Sequence, residues 1–129
     1  MPTWAYFVLG FIALIAVGTV RIRLRTRRIA ASRAGEGFST FCSVFRAEEV
    51  PLDVLQAVHA RFQEWCSDAV DEFPVRAADD IGDIYGMVNE DLDEALVEVV
   101  AGCGRQLPPT GELHQMHRVI TVRDFALFV

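Results

Sequence analysis

The stretch "FVLGFIALIAVGTVRIRLRTRR", Phe7 to Arg28, changes character at one point, where an uncharged apolar run gives way to closely spaced arginines. No charged side chain occurs from residue 1 to residue 20. Twenty helical residues at about 1.5 Å rise cover roughly 30 Å, the thickness of a bilayer's hydrocarbon core. The strongly apolar residues between Phe7 and Val20 together favour insertion by about 3–5 kcal/mol. Trp4 and Tyr6 stand where interfacial aromatic residues belong. The stretch predicts one transmembrane helix over residues 1–20.

The order of the charges sets the expected orientation. A secretory signal carries its cations before the apolar run and small residues at a cleavage site after it. Here nothing basic precedes the run, and Arg21, Arg23, Arg25, Arg27 and Arg28 follow it directly. A core helix of a soluble protein would show a polar face, and this run has none. Arginine-rich flanks stay in the cytoplasm, so the N-terminus should face outward and the remainder inward, across a bacterial inner (cell) membrane. Alternating arginines scatter around a helix, and no aromatic residue interrupts them to stack on bases, which argues against nucleic acid. Anionic lipid headgroups account for them, at about 1 kcal/mol per arginine near the surface.

Charge is segregated along the rest of the chain. Residues 21–37 carry a net +5 and residues 38–129 a net −11, so one part faces a polyanionic surface and the other stays in solvent. Every cation is arginine and none is lysine, a bias of coding more than of chemistry. Cys42, Cys66 and Cys103 are odd in number and lack CxxC spacing, which predicts reduced, buried thiols and no disulfide framework.

"AASRAGEG", Ala30 to Gly37, has the small, polar composition of a flexible linker, and residues 38–129 then form an acidic domain. The pattern of "FSTFCSVF", Phe38 to Phe45, leaves open whether it packs on that domain or lies along the membrane. From Pro51, Leu55, Val58, Phe62 and Trp65 recur on one helical face, with His59 beside it as a packed or rim residue. Phe73-Pro74 should interrupt. Val75 to Val88 is expected to be a long loop, with Ile81, Ile84, Tyr85, Met87 and Val88 tucked inward and Asp79, Asp80 and Asp83 in solvent. Those acids miss the calcium-loop signature.

"NEDLDEALVEVVAGCG", Asn89 to Gly104, predicts the next helix. Asn89 is a plausible cap, acids fill the first turn, and Leu92, Ala95, Leu96, Val99, Val100 and Cys103 form a core stripe. Gly104 suits the left-handed terminator, and Pro108, Pro109 and Gly111 mark a loop. In "ITVRDFALFV", Thr121 and Asp124 fit a capping box, and Val122, Phe125, Leu127 and Phe128 should dock a last short helix. The expected fold is all-α: one transmembrane helix followed by a small domain of three to four helices.

"DLDEALVEVVAGCGRQLP" and "TVRDFALFV" together resemble the second and final helices of an acyl or peptidyl carrier domain, over roughly Leu52 to Val129. The chain is also similar to small bacterial carrier-like proteins that lack the usual serine. In carriers an Asp-Ser-Leu turn opens the second helix and its serine receives phosphopantetheine. Laid on this chain, the turn falls on Glu90-Asp91-Leu92, so the attachment position matches Asp91. A carboxylate cannot form that phosphodiester, which implies no prosthetic group. What the resemblance leaves is the acidic recognition surface, Glu90, Asp91, Asp93, Glu94 and Glu98, docking a basic protein partner. The alternative is a genuine acyl carrier-type protein modified at an atypical residue.

Other chemistry finds little footing. His114 and His117 stand three apart with Glu112 nearby, without the spacing of a metal site. No phosphate loop, nucleophile elbow or HExxH occurs. The sequence therefore predicts a non-enzymatic interaction module with no cofactor and no metal, held by the lipid bilayer. With the membrane sealed, protease added outside should spare residues 38–129 and should digest them once the bilayer is opened; digestion from outside would reverse the assigned orientation.

Overall fold

A computed structural model describes residues 1–45, 49–107 and 118–129. Every regular element among them is helical, as the periodicity predicts: α1 (Thr3–Ser32), α2 (Phe38–Ser43), α3 (Leu52–Trp65), α4 (Ile81–Tyr85), α5 (Asn89–Gly102) and α6 (Val122–Phe128).

α1 has 30 residues, about 45 Å of helix. It is long and apolar enough to cross a membrane, and none of its apolar window is buried by the rest of the chain. Trp4, Phe7, Phe11 and Leu14 are all exposed, which removes the core-helix alternative because such a helix would be covered. Within the run, the Thr19 hydroxyl donates to the Ile15 carbonyl at 2.9 Å, so its polar group needs no water.

The helix does not stop at the arginines. It continues through Ser32, so the linker is shorter than its composition suggests, and only residues 33–37 turn the chain. Gly35 at φ +88 supplies the left-handed step of that turn. The physical reason is packing: Ile29 and Ala30 rest against the domain core and hold the last turns in helical form. Phe38 to Phe45 belongs to the domain as well, with Phe41 and Phe45 buried.

Phe62 on α3 sits at the centre of the core, fully buried. Its ring meets Tyr85 at 5.0 Å and Phe125 of α6 edge-on at 5.4 Å between centroids, geometries that add to the burial itself. Leu92, Ala95, Leu96, Val99 and Val100 bury the predicted stripe of α5, while Cys103 at its end is half-buried. Gly104 is left-handed at φ +64. The Gly104 N–H bonds to the Ala101 carbonyl and the Arg105 N–H to the Val100 carbonyl, which together close the helix as a Schellman motif. At α6, the Thr121 hydroxyl accepts from the Asp124 N–H at 3.2 Å and the Asp124 carboxylate from the Thr121 N–H at 3.0 Å, the capping box anticipated from the sequence.

Several positions differ from expectation. Trp65 is 36% exposed, whereas Val54, outside the predicted face, is fully buried. The segment 75–88 contains α4, capped when the Asp80 carboxylate accepts from the Asp83 N–H at 2.9 Å, and ended by Gly86 at φ +66. Ile81, Tyr85 and Met87 are buried there and Ile84 is partly so, but Val88 is 58% exposed because it caps α5. Leu127 is exposed, and Ala126 takes its place in the core.

Asp79 is the largest correction. It is not a solvated loop acid: it is buried, 4% of its side chain exposed, against Arg33 at 7%. Arg33 Nη2 donates to Asp79 Oδ1 at 2.6 Å, and Nη1 to Oδ2 at 2.8 Å. Arg33 Nη1 also reaches the Pro74 carbonyl at 3.0 Å, and the guanidinium lies over the Phe73 ring. The Tyr85 hydroxyl and the Arg76 N–H donate to Asp79 Oδ2 at 2.8 and 3.0 Å. Removing one member of a buried pair strands the other charge, at about 3–5 kcal/mol. Asp79→Ala should therefore lower the unfolding free energy of the full chain in detergent by that amount. Arg33→Ala/Asp79→Ala should lose less than the sum of the single changes; strict additivity in denaturant titrations would show that the pair is not coupled.

Candidate functional site

α5 carries the predicted acidic face, and the structure sorts its members. Burial of the stripe turns Glu90, Asp93, Glu94, Val97 and Glu98 to the outside. Glu90, Asp93 and Glu94 pair with no cation among the described residues. Glu98 is committed: its Oε2 lies 2.8 Å from Arg61 Nε, off the line of that N–H. Arg61 in turn lies over the Trp65 ring at 5.9 Å.

Asp91 is not a member of the open face. It is half-buried, and its Oδ2 accepts from the Val88 N–H at 2.9 Å. That reach-back bond satisfies a free donor at the helix start, and its charge faces the positive end of the helix dipole. The cap position is Val88 and not Asn89, because the bond closes one residue earlier than the composition suggests. The residue matched to a carrier's attachment serine thus has a structural task of its own.

The five collar arginines, Arg21, Arg23, Arg25, Arg27 and Arg28, are exposed on α1. Positions two apart on a helix differ by about 200°, so they surround the stalk and do not line one side. Among the described residues only Arg27 of the five finds a partner, its Nε donating to the Ala69 carbonyl at 3.1 Å. The two segments of opposite charge therefore touch directly, through Arg27, Arg33 and the Glu36–Arg76 ion pair.

His59 and the three cysteines pack in or against the core. His59 is buried between Phe38 and Phe41, with ring centroids 5.2 Å from each. Its Nε2 has no hydrogen-bond partner among the described residues, and desolvation holds its pKa below the ordinary histidine value. Burial, with the Asp79 charge nearby, pushes the Cys66 thiol up to about 11, so it is a poor nucleophile. Burial likewise raises Cys42 and Cys103, and all three cysteines are free. Among the described residues no group of histidines, cysteines and acids could hold a metal ion. His114, His117 and Glu112 lie outside the described residues.

Sequence reasoning placed Tyr85 inward but missed Arg33 and Asp79, the charged pair it joins in a buried polar cluster. Arg33 lay in what looked like a linker, and Asp79 in a run of loop acids. The available signal was the pairing of an isolated arginine past the collar with an acid beside a buried tyrosine, which no local pattern reports.

Comparison with protein-family models, with curated proteins and with solved structures returns no match. The carrier resemblance rests on the two short motifs alone.

His59 makes acid sensitivity testable. Its folded pKa is lowered, so the unfolded chain binds the proton more readily. The stability linked to it is present above the unfolded value of about 6.5 and is lost as pH falls through the folded pKa. His59→Leu should flatten the stability–pH curve below about pH 6.5, by at most about 1.4 kcal/mol per pH unit. Identical slopes for wild type and variant in pH-dependent melts would remove His59 from that account.

Proposed function

We propose that the chain is a membrane-anchored, non-enzymatic interaction module. It holds a basic protein partner at the inner face of the bacterial cell membrane through the acidic face of α5. The observation that carries this reading is the continuity of α1. The helix leaves its apolar stretch, passes through the arginines without a break and is bonded into the domain at Arg33. A domain fixed to its anchor in this way presents Glu90, Asp93 and Glu94 in one orientation to whatever approaches along the membrane.

Three features support the details. The cations follow the apolar run, which favours an outward N-terminus. Glu90, Asp93 and Glu94, which pair with no cation among the described residues, form a compact negative patch of the kind that steers encounter with a basic surface. The buried titratable groups, Arg33, Asp79, Tyr85 and His59, are engaged in holding the domain together. The alternative, a carrier-type protein modified at an atypical residue, needs an attachment point other than Asp91, whose carboxylate caps α5.

A photo-cross-linking residue at exposed Val97, next to the acidic patch, tests the proposal in native membranes. The adduct formed there should fall sharply in Glu90→Gln/Asp93→Asn/Glu94→Gln and should weaken with added salt. An adduct unchanged by the triple substitution would overturn the acidic face as the docking surface. Gain of one phosphopantetheine arm on incubation with a phosphopantetheinyl transferase, read by intact mass, would favour the carrier alternative instead.

A further inference from the structure

The structure assigns a binding site for a single anionic phospholipid to the groove between α1 and the domain; this rests on the membrane-anchored reading. The groove, of about 600 Å³, is walled on one side by Thr19, Ile22, Arg23 and Arg25 of α1, and on the other by Trp65 and Ile84. That volume lies within the range of small-molecule sites. It suits a headgroup with the first part of its lipid.

Position argues for lipid. Thr19 and Ile22 straddle the end of the apolar run, so the groove opens where the hydrocarbon of the bilayer ends. Thr19, Ile22, Arg23 and Thr26 fall at i, i+3, i+4 and i+7 of α1 and face the domain together. Arg25, on the flank of α1 towards Arg21, also lines the groove, whereas Arg21 and Arg28 do not.

Chemistry argues for an anionic lipid. Neither Arg23 nor Arg25 makes an ion pair or hydrogen bond among the described residues, and guanidinium groups match phosphate oxygens in geometry and charge. Asp68 also lines the groove, so its formal charge is +1, which matches one phosphodiester. Asp68 would accept from hydroxyl donors of a polyol headgroup. The indole of Trp65 is fixed as a wall by its Nε1 donating to the Tyr85 carbonyl at 2.6 Å. With Ile22 and Ile84 it offers an apolar surface to the upper acyl chain.

The full chain is reconstituted with equal amounts of phosphatidylglycerol, phosphatidylethanolamine and phosphatidylcholine, and native mass spectrometry reads the lipid that stays bound. One phosphatidylglycerol should be retained several-fold over the other two. Arg23→Gln/Arg25→Gln should abolish that excess, and Arg21→Gln/Arg28→Gln, which removes the same charge from outside the groove, should keep it. Equal retention of the three lipids, or equal loss in the two double variants, would overturn the groove site and leave a diffuse collar. Flotation with vesicles separates this from the anchoring itself: a chain that floats without lipid preference loses only the groove site, and one that fails to float loses both.

Discussion

Arg33 and Asp79 meet inside the core 46 positions apart in the chain, and the arrangement of the molecule depends on that meeting. Two charges taken out of water are costly, and their attraction compensates only where the remaining hydrogen-bonding capacity is used. Here it is used. Asp79 accepts from two nitrogens of Arg33, from the Tyr85 hydroxyl and from the Arg76 N–H. Arg33 also reaches a carbonyl and lies over an aromatic ring. The network joins the end of α1, the segment before α4 and α4 itself. A helix that would otherwise be a tether becomes part of the domain.

That junction changes what the charge segregation means. With a flexible linker, the cationic collar and the acidic domain would be independent, each meeting its own partner. With the stalk bonded into the core, the two fields are held at a fixed separation, and Arg27 and Arg33 lie in direct contact with the acidic part. On the proposed reading, the acidic patch of α5 is the surface a basic partner would meet, and the collar arginines are the surface lipid headgroups would meet.

Much of this fold could be read from local pattern. The apolar run, the stripe of α5, the left-handed Gly104 and the Thr121–Asp124 box are all set by neighbours within a few residues, and each stands where the sequence puts it. The misreadings share a cause. Ala30 to Ser32 are helical because Ile29 and Ala30 find a distant surface, and Asp79 is buried because Arg33 reaches it. Trp65 is partly exposed because it faces the groove beside α1, although periodicity placed it on the core face. The candidate site was legible to the same degree. The acidic face of α5 follows from amphipathicity, but which acids stay free depends on Val88 and Arg61, which spacing alone does not connect.

Asp91 shows how one residue can satisfy two explanations of the same motif. An acidic tip on an apolar helix resembles the docking helix of a carrier, yet any helix start favours acids by its dipole and its unpaired donors. The distinction lies in what each side chain does. An attachment residue must project freely from the tip. Asp91 turns back to the Val88 N–H, and the neighbouring acids without ion-pair partners among the described residues, Glu90, Asp93 and Glu94, project outward. The capping acid and the outward acids are thus physically separate parts of one helix start, and the acidic composition of that start follows from both.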